Sequence, residues 1–289
     1  MRYQIIHTTT YTYDRPVMLS AHTVRLRPRC DVTQMLQQFS LNVNPEPSRI
    51  SETVDLDGNG IIKLWFPDET TDLLSVKAAF EVETYRSNPF DFLLEAWATN
   101  LPIDYPVSLF CQLQPYLAGH LGVGGVDAIA VQLAQEVWQA THGNTIAFLS
   151  ELNQRIYTTC DYTVRETGAP LPPGITWTQK LGSCRDVAVL FMEACRAMGL
   201  AARFVSGYQE GDPDSDNRDL HAWAEVYLPG AGWRGYDPTH GLAVSDRHIA
   251  LVTSPFPQST TPISGSLKMG AGVQSEMHYQ LSIQPLDPA

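Results

Sequence analysis

Hydrophobic and polar positions along the first 86 residues follow the two-residue period and composition of strands. Tyr3 to Tyr13 (Tyr-Gln-Ile-Ile-His-Thr-Thr-Thr-Tyr-Thr-Tyr) is dense in β-branched and aromatic side chains, as is Val17 to Leu26. Asp57-Gly58-Asn59-Gly60 separates Val54 from the run Ile61 to Phe66, and such dipeptides between extended runs predict a hairpin. A further strand is expected from Leu74 to Tyr85. Strands at this spacing, with no helical period among them, predict a small antiparallel β-sandwich over residues 1–90.

The pattern changes after Ser87-Asn88-Pro89, and residues 91–125 read as a connecting segment. From Val126 apolar positions recur at three and four, which predicts helices over 126–142, about 145–159 and 184–198, the last stopping at Gly199. Strands are expected at about 202–209, 220–228 and 233–237, so that 126–250 forms a mixed core. Residues 250–272, rich in Pro, Ser, Thr and Gly, read as a long irregular connection before a closing strand at 276–283. The sum is an α+β fold.

Three stretches carry chemistry. In Gly182-Ser-Cys-Arg-Asp186, Ser183 and Asp186 have capping-box spacing, which puts Cys184 in the first turn of a helix. A thiol there faces unpaired backbone N–H groups and the positive end of the helix dipole, and both favour the nucleophilic thiolate. The charged residues of that helix, Arg185, Asp186, Glu193 and Arg196, fall within about a third of the circle; the remainder is apolar. In Leu220-His-Ala-Trp-Ala-Glu-Val-Tyr-Leu228, strand alternation gives His221, Trp223, Glu225 and Tyr227 one face and the small apolar residues the other. Pro229-Gly-Ala-Gly232 is a turn, so Trp233 to Asp237 should return antiparallel. Pairing Tyr227 with Trp233 would put Asp237 opposite Trp223 and diagonal to His221, a gap of ~7–8 Å that side chains span. The even register would put the carboxylate on the wrong face. Each stretch alone has an ordinary explanation, as a free thiol, a structural histidine and a strand-ending turn residue; their order along one chain is what points to a Cys184–His221–Asp237 triad.

Composition narrows the partners. Nineteen Lys plus Arg against 31 Asp plus Glu give a formal net charge of −12, which repels phosphate backbones and anionic lipids, so neither nucleic acid nor membrane is an expected partner. No apolar stretch has the length of a signal peptide or a membrane span, and a cytoplasmic location is the expectation. Five scattered cysteines without CxxC spacing argue against a disulfide framework and a structural zinc site. Asp212, Asp214 and Asp216 begin like a calcium loop, but Asn217 and Trp223 stand where glycine and a bidentate glutamate belong, so a solvated loop is expected and no metal or cofactor.

These same motifs, Gly182 to Asp186, His221 to Glu225 and Trp233 to Thr239, resemble the core of the transglutaminase-like superfamily. Tyr11-Thr-Tyr13, Leu26-Arg-Pro-Arg29 and Asp55-x-Asp57-Gly-Asn59 resemble the N-terminal region of its bacterial branch, whose members are described as proposed cysteine proteases. The resemblance implies a papain-like α+β core behind a β-rich domain, and Cys184, His221 and Asp237 as nucleophile, base and orienting acid acting on a protein or peptide substrate. The chemistry expected is attack on an amide or peptide carbonyl to give a Cys184 thioester, released by water in a protease or amidase. An amine acceptor, as in a protein-glutamine transamidase, and a non-catalytic peptide-binding module are the competing readings. Trp177 and Gln179 are chemically able to supply a second oxyanion-hole donor. Nothing in the sequence speaks to the oligomeric state.

Overall fold

Alternation at the N-terminus is realised as one long strand, β1 (Arg2–Val24), with Tyr3, Ile5, His7 and Thr9 turned inward at every second position. It is followed by β2 (Gln34–Asn44), β3 (Arg49–Val54), β4 (Gly60–Trp65) and β5 (Thr70–Thr84). The computed structural model describes residues 1–119, 125–165, 167–211, 219–269 and 272–286. The predicted hairpin joins β3 to β4, and Gly58 takes a φ of 78° at its turn, where a side chain would be strained.

Downstream come α1 (Val107–Leu117), α2 (Ala128–Ala140) and α3 (Thr145–Thr159). The short β6 (Asp161–Tyr162), α4 (Pro173–Gln179) and β7 (Leu181–Gly182) lead into α5 (Cys184–Ala197). A second sheet is then laid down from β8 (Ala202–Gln209), β9 (Leu220–Leu228), β10 (Gly232–Asp237), β11 (Leu242–Ala243) and β12 (His248–Ser254). The chain closes with β13 (Ile263–Met269) and β14 (Ser275–Leu286). Among the described residues no helix is long and apolar enough to cross a membrane.

The N-terminal sheet has seven strands, in the order β2-β5-β1-β4-β3 with β13 and β14 added on β1. The first half of β1 pairs with β5 and β14, its end with β4 and β13, and the register breaks between Thr12 and Val17. Two of its strands therefore come from the far end of the chain. The second sheet is antiparallel throughout, in the order β11-β10-β9-β8-β12.

Two expectations need correction. Residues 250–272 are not an irregular connection: β12 runs through Ser254 and β13 begins at Ile263, with the Pro-rich stretch only punctuating them. Ser and Thr sit comfortably in paired strands, so their frequency misled. The connecting segment 91–125 contains α1, which starts directly after Pro106 and keeps Pro115 inside its last turn.

Packing explains the layering. Helix α5 lies against the Ala222, Ala224, Val226 and Leu228 face of β9, in one apolar cluster with α2 and α3. A second cluster joins Tyr3, Ile5 and Phe80 of the N-terminal sheet to Tyr208, Ile249, Leu251 and Val252 of β8 and β12. Two buried side-chain amides tie this seam to the β12 backbone. Gln34 donates to the Ala250 carbonyl at 2.9 Å and accepts from its N–H at 2.8 Å; Asn59 does the same at Thr253, at 2.7 and 2.9 Å. Such two-point pairing satisfies backbone groups that would otherwise be buried unpaired.

Gly207 on β8 stands opposite His221, and Trp223 lies over it. A Cβ there would come 2.2 Å from the Ile249 carbonyl oxygen and 2.6 Å from the Trp223 ring. Gly207→Ala is expected to destabilise the protein by about 2 kcal/mol through overpacking, read as a lowered midpoint in urea. An unchanged midpoint would mean that Trp223 can move aside freely.

Candidate active site

Helix α5 is enclosed on nearly every side, and the charged stripe that its sequence suggests is buried with the rest. Asp186, Glu193 and Arg196 are each no more than 5% exposed. Arg196 donates to Glu193 at 3.2 Å and to the carbonyls of Tyr116, Ala202 and Pro255. The predicted cap is present: Asp186 accepts from the Ser183 N–H and hydroxyl, both at 2.8 Å, as well as from the Leu171 N–H and the Arg165 guanidinium. Burial works against the ionised carboxyl, but these donors hold it below the usual carboxylate range. Cys184 thus begins a helix whose first turn is clamped from three sides. All five cysteines are free thiols.

On the sheet, Trp233 pairs with Tyr227 and Tyr236 with Ala224, the odd register that puts Asp237 on the His221 face. His221 Nε2 lies 2.8 Å from Asp237 Oδ2. Asp237 is fully buried and receives two more donors, His248 Nε2 at 3.1 Å and the Thr239 N–H at 3.0 Å. A carboxylate can only accept, so both imidazoles present N–H at Nε2. That leaves Nδ1 of His221 for Cys184, whose sulfur lies near enough to act on the charge of the ring. Burial disfavours the imidazolium, yet the Asp237 carboxylate and the Cys184 sulfur outweigh it and raise His221 to about 10. Burial would likewise raise Asp237, and the two histidines overcome it, holding the carboxyl far below its ordinary value. His240 stacks near His221 at 5.2 Å between ring centroids. His221, Asp237 and His240 bring donor atoms within 4.8 Å of one another, a metal-compatible set among the described residues, although a hydrogen bond already links two of them.

A cleft of about 680 Å3 opens over Cys184 and His221. Trp177 and Gln179 do not line it. Trp177 packs against the helical core with the Lys180 ammonium 3.4 Å from its ring, and Gln179 is exposed. Trp223 is core, 1% exposed. Asp212, Asp214, Asp216 and Asn217, the aborted calcium loop, lie outside the described residues.

Two residues at the site were not singled out from the sequence. His248 lies just before the stretch read as irregular, and nothing local marks it as a partner of Asp237. Tyr162 lines the cleft and follows α3; its strand pairs in parallel with Leu181-Gly182, one residue before Ser183. Burial first, then the Cys184 sulfur, push its phenol up to about 12, so it is an O–H donor at neutral pH in the cleft that Cys184 lines.

A helix-mounted thiol, an imidazole bonded to a buried carboxylate and a cleft over thiol and imidazole are the parts that thiol acyl transfer uses. The profile of the Bacterial transglutaminase-like N-terminal region matches residues 3–83, and that of the Transglutaminase-like superfamily matches 131–238. The chain thus carries a bacterial transglutaminase-like N-terminal region and a transglutaminase-like core. It is similar to an uncharacterized protein of Mycobacterium bovis, 28% identical over 276 residues covering 86% of this chain and 82% of that protein. A protein-glutamine gamma-glutamyltransferase of Pseudomonas aeruginosa is 33% identical over 121 residues, 38% of this chain and 18% of that one. Among solved structures, a proposed cysteine protease of Cytophaga hutchinsonii superposes with a TM-score of 0.71 at 20% identity, covering 100% of this chain and 92% of that one.

Proposed function

We propose that this protein is a thiol hydrolase of amide or peptide bonds, with Cys184 as nucleophile, His221 as general acid and base, and Asp237 as the acid that orients His221. The reading is carried by one observation: His221, which lines one cleft with the helix-mounted Cys184, is hydrogen-bonded at 2.8 Å to the buried Asp237 carboxylate. The Cys184 thiolate attacks the carbonyl carbon, and the tetrahedral oxyanion collapses as the His221 imidazolium protonates the departing amine. A thioester remains. Water then attacks it, giving a proton to His221, and the carboxylic acid leaves with the thiolate restored.

The oxyanion forms beside the Cys184 backbone N–H, and the Tyr162 hydroxyl is the second donor in this reading. Tyr162→Phe is expected to lower kcat about 100-fold, with iodoacetamide alkylation of Cys184 unchanged because alkylation forms no oxyanion. Equal loss in both assays would assign the phenol to packing.

Hydrolysis is favoured over transamidation by the breadth of the cleft, which admits solvent to the thioester. A single assay separates the two: incorporation of monodansylcadaverine into casein against release of ammonia or new peptide ends. Dansyl incorporation outpacing hydrolysis would overturn the hydrolase assignment and make the protein a transamidase. Equal, sluggish labelling of all five cysteines would sink the enzyme reading and leave the peptide-binding module.

A further inference from the structure

The cleft has two walls, one from the middle of the sequence and one that joins its two ends. One wall belongs to the catalytic half, with Cys184, His221 and Tyr162. The other is the N-terminal sheet. On β1 the period of two puts Tyr3, Ile5, His7, Thr9 and Tyr11 on one face. Tyr3 and Ile5 are sealed in the seam against the catalytic sheet, while His7, Thr9 and Tyr11, further along the same face, line the cleft. β14 continues this surface: Met277 pairs with Tyr11 and Tyr279 with Thr9, and both side chains face the cleft.

Among the described residues, the charged side chains of the cleft all belong to the catalytic half. Arg165 is bound to Asp186, and Arg185 donates to the carbonyls of Arg165, Thr167 and Gly168. Asp219 accepts from the Tyr279 hydroxyl. His7 is lowered to about 4 by burial and has its ring nitrogens on the Tyr208 and Thr9 hydroxyls, so it is neutral at physiological pH. The share of the cleft that the N-terminal sheet supplies is neutral, with the half-buried Tyr11 and Met277 side by side on it. A thioether against an aromatic ring is a polarizable, adaptable apolar contact.

We propose that the N-terminal sheet is the specificity wall of the enzyme, and that the Tyr11–Met277 pair seats an uncharged apolar or aromatic side chain of a polypeptide substrate next to the attacked carbonyl. This rests on Cys184 being the nucleophile. Charged neighbours are disfavoured because, among the described residues, that wall carries no counter-charge to replace their water.

Peptidyl chloromethyl ketones with Phe, Leu, Asp or Lys beside the ketone read the wall directly. The thiolate forms an S–C bond with the methylene carbon and chloride departs, so inactivation needs no knowledge of the natural leaving group. The Phe and Leu reagents are expected to inactivate at least 10-fold faster than the Asp and Lys reagents. Met277→Asp should shift the preference toward the Lys reagent, and Met277→Lys toward the Asp reagent. These opposite shifts are not produced by a general loss of structure. Iodoacetamide, too small to touch the wall, should alkylate Cys184 at the wild-type rate in both variants, which also reports that they fold. Charged reagents as fast as the apolar ones, or profiles unmoved by either substitution while iodoacetamide labels Cys184 normally, overturn the specificity wall and leave the nucleophile intact. Failure of iodoacetamide to select Cys184 in the wild type overturns the nucleophile itself, and this inference with it.

Discussion

His221→Ala is expected to lower turnover about 1,000- to 10,000-fold and to end the selective alkylation of Cys184, leaving it no more reactive than the exposed Cys30 and Cys111. In the proposed mechanism the imidazole has two separable roles. As imidazolium it would stabilise the thiolate, and as a proton carrier it would release the amine. A pH series on the wild type separates them. Because His221 is raised to about 10, its proton is in place across the neutral range, and turnover should fall only as pH passes through about 10. Alkylation, which needs thiolate alone, should not fall with it. A shared loss near pH 7 would show that the ring is not held as imidazolium. The same shift has a stability consequence, with its sign set by the raised folded-state value. The ion pair contributes fully below about 6.5, the ring's ordinary value, and its contribution is lost as pH rises through about 10.

The second large effect is on stability. Asp186→Ala should destabilise the protein by about 3–5 kcal/mol, because it leaves the Arg165 guanidinium, the Leu171 N–H and the Ser183 N–H and hydroxyl without their acceptor. For a chain of this size that amounts to a midpoint roughly 10 °C lower on heating. Cys184 alkylation should slow as well, since the first turn of α5 loses its clamp. The pH signature runs opposite to that of His221. The folded-state carboxyl is held below 3.8, so its contribution is present above that pH and is lost as acid protonates it. A drop of under 1 kcal/mol would mean that water replaces the carboxylate easily and that the cap is ornamental.

How much of this was legible before the structure can be judged residue by residue. The odd register of Trp233 on Tyr227 is the one that a shared face for Asp237 and His221 requires, because a one-residue slip would turn Asp237 to the helical side. The Ser183–Asp186 cap is local, a spacing of three. Asn59 was legible only in part. It is the turn residue that its sequence suggests, and its amide also grips Thr253 on a strand 194 positions away. His248 and Tyr162 were missed because their roles arise from pairings between distant segments, and no local period encodes those. Glu193 and Arg196 were legible only as part of a charged stripe; the carbonyls converging on Arg196 explain why the pair is tolerated inside.

The pairing of β1 with β14 runs through twelve residues, from Arg2↔Leu286 to Tyr13↔Ser275. During synthesis β1 leaves the ribosome early, and its partner is made after the other strands of both sheets. Cys184, His221 and Asp237 are therefore all translated while one edge of the opposite wall is still missing. Pairings this distant are slow to form, because loop closure precedes any reward in contacts. The three side chains thus exist as a sequence well before the cleft beside them is complete, and its second wall is finished only when β14 pairs.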